Sequence, residues 1–380
     1  MAKLLSPFLK SSVKADQEES EGSISILELT KEVLVRGIDK VPNNLLVPEE
    51  CRPKRIPWGE IPVVDLSKKH SDRGQICLKM GDAARNWGAF QVINHAISPS
   101  TLRKMESEGK DFFSSPIQKK MQVRKGVTNR AYYTGNNSEE KWHSLHWAES
   151  YVQLWNKWTE MDDTVEKQTS VLYPQGNDEY RLLVAEFMEG IRSTTELIME
   201  LLAEYLGLES NFFSKFCFPN GTSVTRWNYY PLCPVADMTL GARQHTDPNF
   251  ITLLYQDGVG GLQVEKNGEW YGVRPIKEAL VINIGDGFHI ISNGYFKTVL
   301  HQVVVNEHSH RLSMVCAIYL ENHADLSAPE QLVSERVPRL YQKIYSYEYW
   351  NLIFAGREKS SPMDASVLNG LNVLKNLRIF

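Results

Sequence analysis

The chain has 380 residues, 42% of them hydrophobic, and a formal net charge of −4 at pH 7. That length and apolar content can bury a large core, as one elaborated domain or a domain with a helical companion. The small, dispersed charge excludes the electrostatic footprint of a nucleic-acid binder. Five cysteines (Cys51, Cys77, Cys217, Cys233 and Cys316) without C-x-x-C spacing predict reduced thiols in a reducing compartment.

In chain order, residues 1–55 read as a largely flexible tail and lead-in, because Ser11 to Ser25 is polar and acidic and lacks the apolar residues that offset ordering entropy. The run from Leu4 to Leu9 is interrupted by Pro7 and has no small-residue cleavage site after it, so a cytoplasmic protein is expected. No apolar stretch approaches the length of about 18 residues that a membrane span needs. Residues 56–175 read as helices plus the first strands. Ile56 to Leu66 leads into a strand, and Ile76, Met80, Ala83 and Trp87 recur at helical spacing before a cap at Gly88. Phe90-Gln-Val-Ile is the next strand, and Ser98-Pro99 opens another helix whose face, Leu102, Met105 and Phe112, ends near Pro116. The longest helix is predicted from about Asn177 to Gly207, with Leu183, Phe187, Ile191, Thr194, Ile198, Leu201 and Tyr205 in one stripe turned to the core.

Beyond that helix the chemistry-bearing residues lie among β-forming segments. Gly221 to Tyr230, His301-Gln-Val-Val-Val and Leu312 to Tyr319 are rich in strand formers. His245 and Asp247 stand two apart, so on a strand both reach one side, and His301 follows. Two histidines and a carboxylate on one face of an iron leave the other face open, as in non-haem Fe(II) oxygenases. Arg311, Ser313, Val315 and Ala317 share one strand face, so Arg311 and Ser313 can point together into a barrel-like interior, where a guanidinium requires an anion. Other candidates are weaker. His289 reads as structural or pocket-lining, His308 and His310 as part of a solvated hairpin, and His143 and His146 as packing or substrate contacts. Asp286 between two glycines reads as a turn residue, and Gly258 to Gly261 as a turn between strands.

Five segments in order resemble the plant-type Fe(II)/2-oxoglutarate-dependent dioxygenases: Trp87 to His95, Asn228-Tyr-Tyr-Pro-Leu-Cys-Pro234, His245-Thr-Asp247, Asn283 to Gly294, and His301 with Arg311-Leu-Ser313. The likeness covers roughly residues 55 to 350. Within the family the chain is most similar to gibberellin oxidases, on Thr252-Leu-Leu-Tyr-Gln256, Gly285 to Ile290, Phe296 to His301, Leu332-Val-Ser334 and Leu340-Tyr-Gln342. The resemblance implies an α+β fold: a double-stranded β-helix (jelly roll) flanked by helices, in residues 176–350 with its core at about 220–322, then a C-terminal helix and tail in 351–380. It implies Fe(II) on His245, Asp247 and His301, and 2-oxoglutarate on Arg311 and Ser313 with Tyr230 and Asn228 completing the cradle. O2 is the second co-substrate and ascorbate a reductant. Tyr132, Tyr133, Trp147, Phe250 and Phe288 are the expected apolar walls. The implied reaction is hydroxylation or desaturation of a small hydrophobic plant metabolite by a monomer without nucleic-acid or membrane partners. A gibberellin-type diterpenoid acid is the first candidate. A flavonoid or phenolic substrate, an ascorbate-dependent oxidase and a catalytically inactive binding protein are the alternatives. Asn94-His-Ala96 and Tyr319 to His323 depart from the family pattern.

Overall fold

The computed structural model describes residues 25–38, 41–123, 130–134, 146–155, 158–359 and 368–379. The acidic stretch before Ser25 and His143 fall outside them. Among the described residues, twelve strands form two sheets. The larger has the order β1 (Val63–Asp65), β2 (Ala89–Ile93), β10 (Leu280–Ile284), β7 (Ile251–Gln256), β12 (Arg311–Ile318), β5 (Ser223–Tyr230), β4 (Glu149–Trp155) and β3 (Arg130–Thr134). The smaller has the order β6 (Ala242–His245), β11 (His301–Val303), β8 (Leu262–Lys266) and β9 (Glu269–Gly272). Among these strands β1 and β2 pair in parallel and the other pairs are antiparallel. This is the expected jelly roll in an α+β chain.

Strand alternation divides the core into two layers. Outward residues of the large sheet, among them Trp227, Leu253, Ile282, Leu312 and Met314, pack in one buried cluster with helices α2 (Arg73–Asn86), α3 (Pro99–Ser114) and α6 (Asp178–Tyr205). Inward residues, including Tyr230, Leu254 and Val281, meet Leu262, Val264 and Val303 of the small sheet. The helix starts follow from sequence. Ser98 accepts from Thr101 N with Pro99 in the first turn, and Asn177 accepts from Tyr180 N at the head of α6. The α6 stripe from Leu183 through Leu201 is buried, and only Tyr205 at its end is partly open. Each such fully buried apolar side chain contributes about 1.5–3 kcal/mol. At Gly88, φ is +68° and a Cβ would lie 2.5 Å from the Lys297 carbonyl oxygen, so glycine alone fits where α2 turns into β2.

The lead-in is not a loose segment once past Ser25. Ser25 and Glu28 form a capping box for α1 (Ile26–Arg36). Ile26, Leu29 and Val33 are buried in the inner cluster. Ile26 N donates to Thr134 Oγ1 (3.1 Å) and Leu27 N to Glu149 Oε1 (2.8 Å). Glu149 is itself fully buried and accepts from Lys120 Nζ, on α4 (Ile117–Gln122), and from the Tyr132 hydroxyl, both at 2.6 Å. After α5 (Met161–Leu172), α6 and the short α7 (Asp286–Ile291), the chain ends in α8 (Ser346–Lys359) and α9 (Leu368–Leu377), which place Tyr349, Ile353, Val373 and Leu374 against the outer cluster. No helix among the described residues is long and apolar enough to cross a membrane.

Candidate metal centre and co-substrate site

His245 ends β6, Asp247 lies just past the end of that strand and not on it as the spacing predicts, and His301 begins β11, directly opposite His245 in the antiparallel ladder. Their ligand atoms lie within 4.8 Å of one another. Asp247 Oδ1 is 3.8 Å from His245 Nε2 and 3.7 Å from His301 Nε2. Each imidazole is aimed by its own strand: His245 Nδ1 faces the Arg243 carbonyl at 2.7 Å and His301 Nδ1 the Val299 carbonyl at 3.1 Å. A carbonyl accepts only, so the proton sits on Nδ1 and both Nε2 lone pairs face the common point. Burial would raise the Asp247 carboxyl, but His301 and His245 beside it, with hydrogen bonds from Thr252 and Asn283, hold it below the usual carboxylate range. Two nitrogens and one anionic oxygen converging at the edge of an inter-sheet space fit Fe(II).

On the large sheet, Arg311 begins β12 and is 2% exposed. Its Nη2 donates to Gln256 Oε1 at 3.3 Å, while Nε and Nη1 are buried without a hydrogen-bond partner among the described residues, as is Ser313 Oγ. The guanidinium lies 4.9 Å from the Tyr230 ring centroid. A buried guanidinium facing two unused donor directions beside an unused hydroxyl fits the carboxylate of a diacid. Asn228 is in register with Ser313, but its Oδ1 is already taken by Ser150 Oγ (2.8 Å).

The expected aromatic walls separate by strand parity. Tyr133, Ser150, Asn228, Ser313 and Gln256 form one cross-strand row on the inner face, and Trp147 packs in the inner cluster. Tyr132 must then point the opposite way, and it does, into the helix-facing cluster with its hydroxyl on Glu149. Phe250 and Phe288 are also displaced from the expected pocket. Their rings stack at 4.2 Å in that same outer cluster beside Phe213, so they are core residues.

His289 is structural, held between the Phe296 carbonyl (2.6 Å) and the Tyr341 hydroxyl (2.7 Å). His308 is exposed, and His310 accepts from Leu232 N. His146 carries more than packing. It accepts from Arg243 N at 3.3 Å, and burial together with the charges of Arg226, Arg243 and His245 lowers its pKa to about 3, leaving it neutral. Arg226 shares the inner face with Asn228 and Tyr230. Its Nη2 donates to Ser150 Oγ (3.0 Å), and its Nε is buried without a partner among the described residues. Strand parity, visible in the sequence, is the signal that places it.

Asp286 is not a turn residue. It is the first residue of α7, fully buried, and burial pushes its carboxyl up to about 7 despite hydrogen bonds from Thr298, Tyr349 and Thr246. Those partners are far apart in the chain, so no local signal could have found them.

The family model of the 2OG-Fe(II) oxygenase superfamily matches residues 221–318, and that of the non-haem dioxygenase in morphine synthesis N-terminal region matches residues 61–170. Naringenin,2-oxoglutarate 3-dioxygenase of Callistephus chinensis is 35% identical over 280 residues, which are 72% of this chain and 76% of the relative. Gibberellin 20 oxidase 2 of Arabidopsis thaliana is 29% identical over 334 residues, 88% of this chain and 87% of the relative. The crystal structure of JOX2 in complex with 2OG, Fe and JA aligns with a TM-score of 0.76 at 25% identity, covering 95% of this chain and 99% of that one. The chain belongs to the 2OG-Fe(II) oxygenase superfamily. Within it, the chain is a 2-oxoglutarate-dependent dioxygenase, using Fe(II), 2-oxoglutarate and O2.

Proposed function

We propose that the enzyme oxidises a small, largely apolar molecule carrying an acidic group, with a gibberellin-type diterpenoid acid as the first candidate. In this reading His245, Asp247 and His301 hold Fe(II), and Arg311 and Ser313 anchor 2-oxoglutarate. The observation that carries the reading is the presence of two incomplete sites in one barrel, a His-Asp-His set at the small sheet, and a buried guanidinium and hydroxyl with unused donors on the inner face of the large one. Bound Fe(II) supplies oxygen activation coupled to decarboxylation of the keto acid. The chain supplies placement: Arg311 fixes the far carboxylate by charge-assisted hydrogen bonds, Ser313 donates a further one, and Asp247 offers an anionic ligand at neutral pH. No side chain need act as a general base, since substrate oxidation is the cofactor's chemistry.

The acidic group is argued from Arg226. Among the described residues no carboxylate is in ion-pair contact with it, and a partly enclosed guanidinium whose buried Nε is left without an acceptor is costly. Tyr133 and Trp147 supply apolar surface on the same inner face. A flavonoid is the second reading, supported by relatives named naringenin,2-oxoglutarate 3-dioxygenase, flavanone 3-dioxygenase and flavonol synthase 1. The test is purified protein with Fe(II), 2-oxoglutarate and a panel of gibberellin precursors and flavonoids, reading succinate and product mass. Stoichiometric succinate with an oxidised acid is expected, and none from His245→Ala, which also fails to bind iron while remaining folded. Iron binding and turnover retained by His245→Ala would refute the site.

A further inference from the structure

Asp286 touches every segment that carries a metal ligand, although it is not itself a ligand. Its backbone N donates to the Asp247 carbonyl at 2.8 Å. Its Oδ2 accepts from the hydroxyl of Thr246, the residue between His245 and Asp247, at 3.1 Å. Its Oδ1 accepts from the Thr298 hydroxyl at 2.6 Å, and the next residue, Val299, presents the carbonyl that orients His301. The fourth contact comes from the far end of the chain: the Tyr349 hydroxyl, on α8, donates to Oδ2 at 2.8 Å. On α9, Gly370 sits directly over the pair, where a Cβ would lie 2.3 Å from Thr246 Oγ1 and 2.8 Å from Asp286 Oδ2. Both C-terminal helices are therefore packed onto the polar hub behind the ligands.

We propose that Asp286 is a positioning residue for the metal centre and that Tyr349 and Gly370 make the C-terminal helix pair part of the device that sets ligand geometry. The physical reason is the cost of a buried carboxyl. Fully enclosed, it needs its hydroxyl donors, so each holds the others in place. Removing the Tyr349 donor shifts the balance of hydrogen bonds toward Thr246 and Thr298, and with them the backbone that aims His245, Asp247 and His301. Partners behind the ligands commonly change metal affinity by about 10–100-fold when lost.

This inference rests on the Fe(II) reading above, and the experiment separates the two. Full-length protein, Tyr349→Phe, Gly370→Ala and Asp286→Asn are titrated anaerobically with Fe(II) and then 2-oxoglutarate, following the visible charge-transfer band of the ternary complex and the Fe(II) dissociation constant. Val373→Ala, which loosens α9 in the apolar core without touching Asp286, is the control for plain destabilisation. The expected result is a shifted band and Fe(II) binding weakened about tenfold or more in Tyr349→Phe and Gly370→Ala, with Val373→Ala lowering Tm but leaving the band where it was. An unshifted band and unchanged Fe(II) affinity in Tyr349→Phe and Gly370→Ala would overturn the proposal, as would an equal shift in Val373→Ala. Failure of the unmutated protein to give any band overturns the iron reading itself.

Discussion

Replacing Arg311 by methionine separates the two roles that its burial imposes. With 2% exposure, a hydrogen bond to Gln256 and two donor nitrogens unused among the described residues, the guanidinium carries a desolvation cost that no ion pair among those residues offsets, the Asp257 carboxylate acting on it only through space. Methionine keeps the length of the side chain and removes the charge. Two charge-assisted hydrogen bonds to the co-substrate would be lost at about 1.5–3 kcal/mol each. Even at the low end, about 3 kcal/mol, the 2-oxoglutarate dissociation constant rises by more than about 100-fold. Thermal melts with and without co-substrate read both effects. At 100 times the original dissociation constant, ligand stabilises the unmutated protein by about 2.7 kcal/mol, whereas the variant gains only about 0.4 kcal/mol at the same concentration. Without ligand, Arg311→Met melts at or above the original temperature, because an unpaired buried charge has gone. A variant that keeps its ligand-induced shift, or whose unliganded form loses several degrees, would show that Arg311 is a structural cation and not the anchor.

Arg226→Leu should raise KM for an acidic substrate about 10–100-fold, equivalent to one lost hydrogen bond to a charged group, and leave KM for 2-oxoglutarate alone. Initial rates with the acid and its methyl ester check this, since equal losses for both would remove the anion-binding role. Phe288→Ala should cost about 3–5 kcal/mol in urea unfolding without altering the position oxidised, because the ring stacks on Phe250 in the outer core; a changed product ratio would put the ring back in the pocket. Lys120→Ala should cost a similar amount, about 3–5 kcal/mol, by leaving the fully buried Glu149 without its cation. Urea unfolding that moves by less than 1 kcal/mol would contradict that.

Much of the fold was legible because its elements carry their own signals. The Ser98-Pro99 start, the stop before Gly88 and the seven-residue stripe of α6 are local patterns, and the observed elements fall within a few residues of them. Helix α1 was less so. Its buried apolar positions, Ile26, Leu29 and Val33, are at helical spacing, but they follow an acidic stretch that dominates the average composition. What orders the helix is distant: the Thr134 hydroxyl, the Glu149 carboxylate and the inner face of the barrel.

In the site, legibility follows the reach of strand parity. Arg311 and Ser313 are a pair whose spacing on one strand places them together, whereas Asp247 lies just past the end of β6 and reaches the same point as His245 without strand parity. Parity equally forbids Tyr132 and Tyr133 from lining the same cavity, so those two expectations exclude each other in the sequence itself. Parity cannot say which face of β7 and α7 meets helices and which meets the opposite sheet, and Phe250 and Phe288 fell on the helical side. Asp286 lies beyond its reach altogether. Thr246, Thr298, Tyr349 and Gly370 belong to four separate segments, and nothing between two glycines in a sequence distinguishes a turn aspartate in water from a carboxyl enclosed by three hydroxyls. Most side chains proposed to meet the cofactor sit on or at the end of strands and are readable by period. Those that hold these strands in place sit between layers, and only the packed chain brings them together.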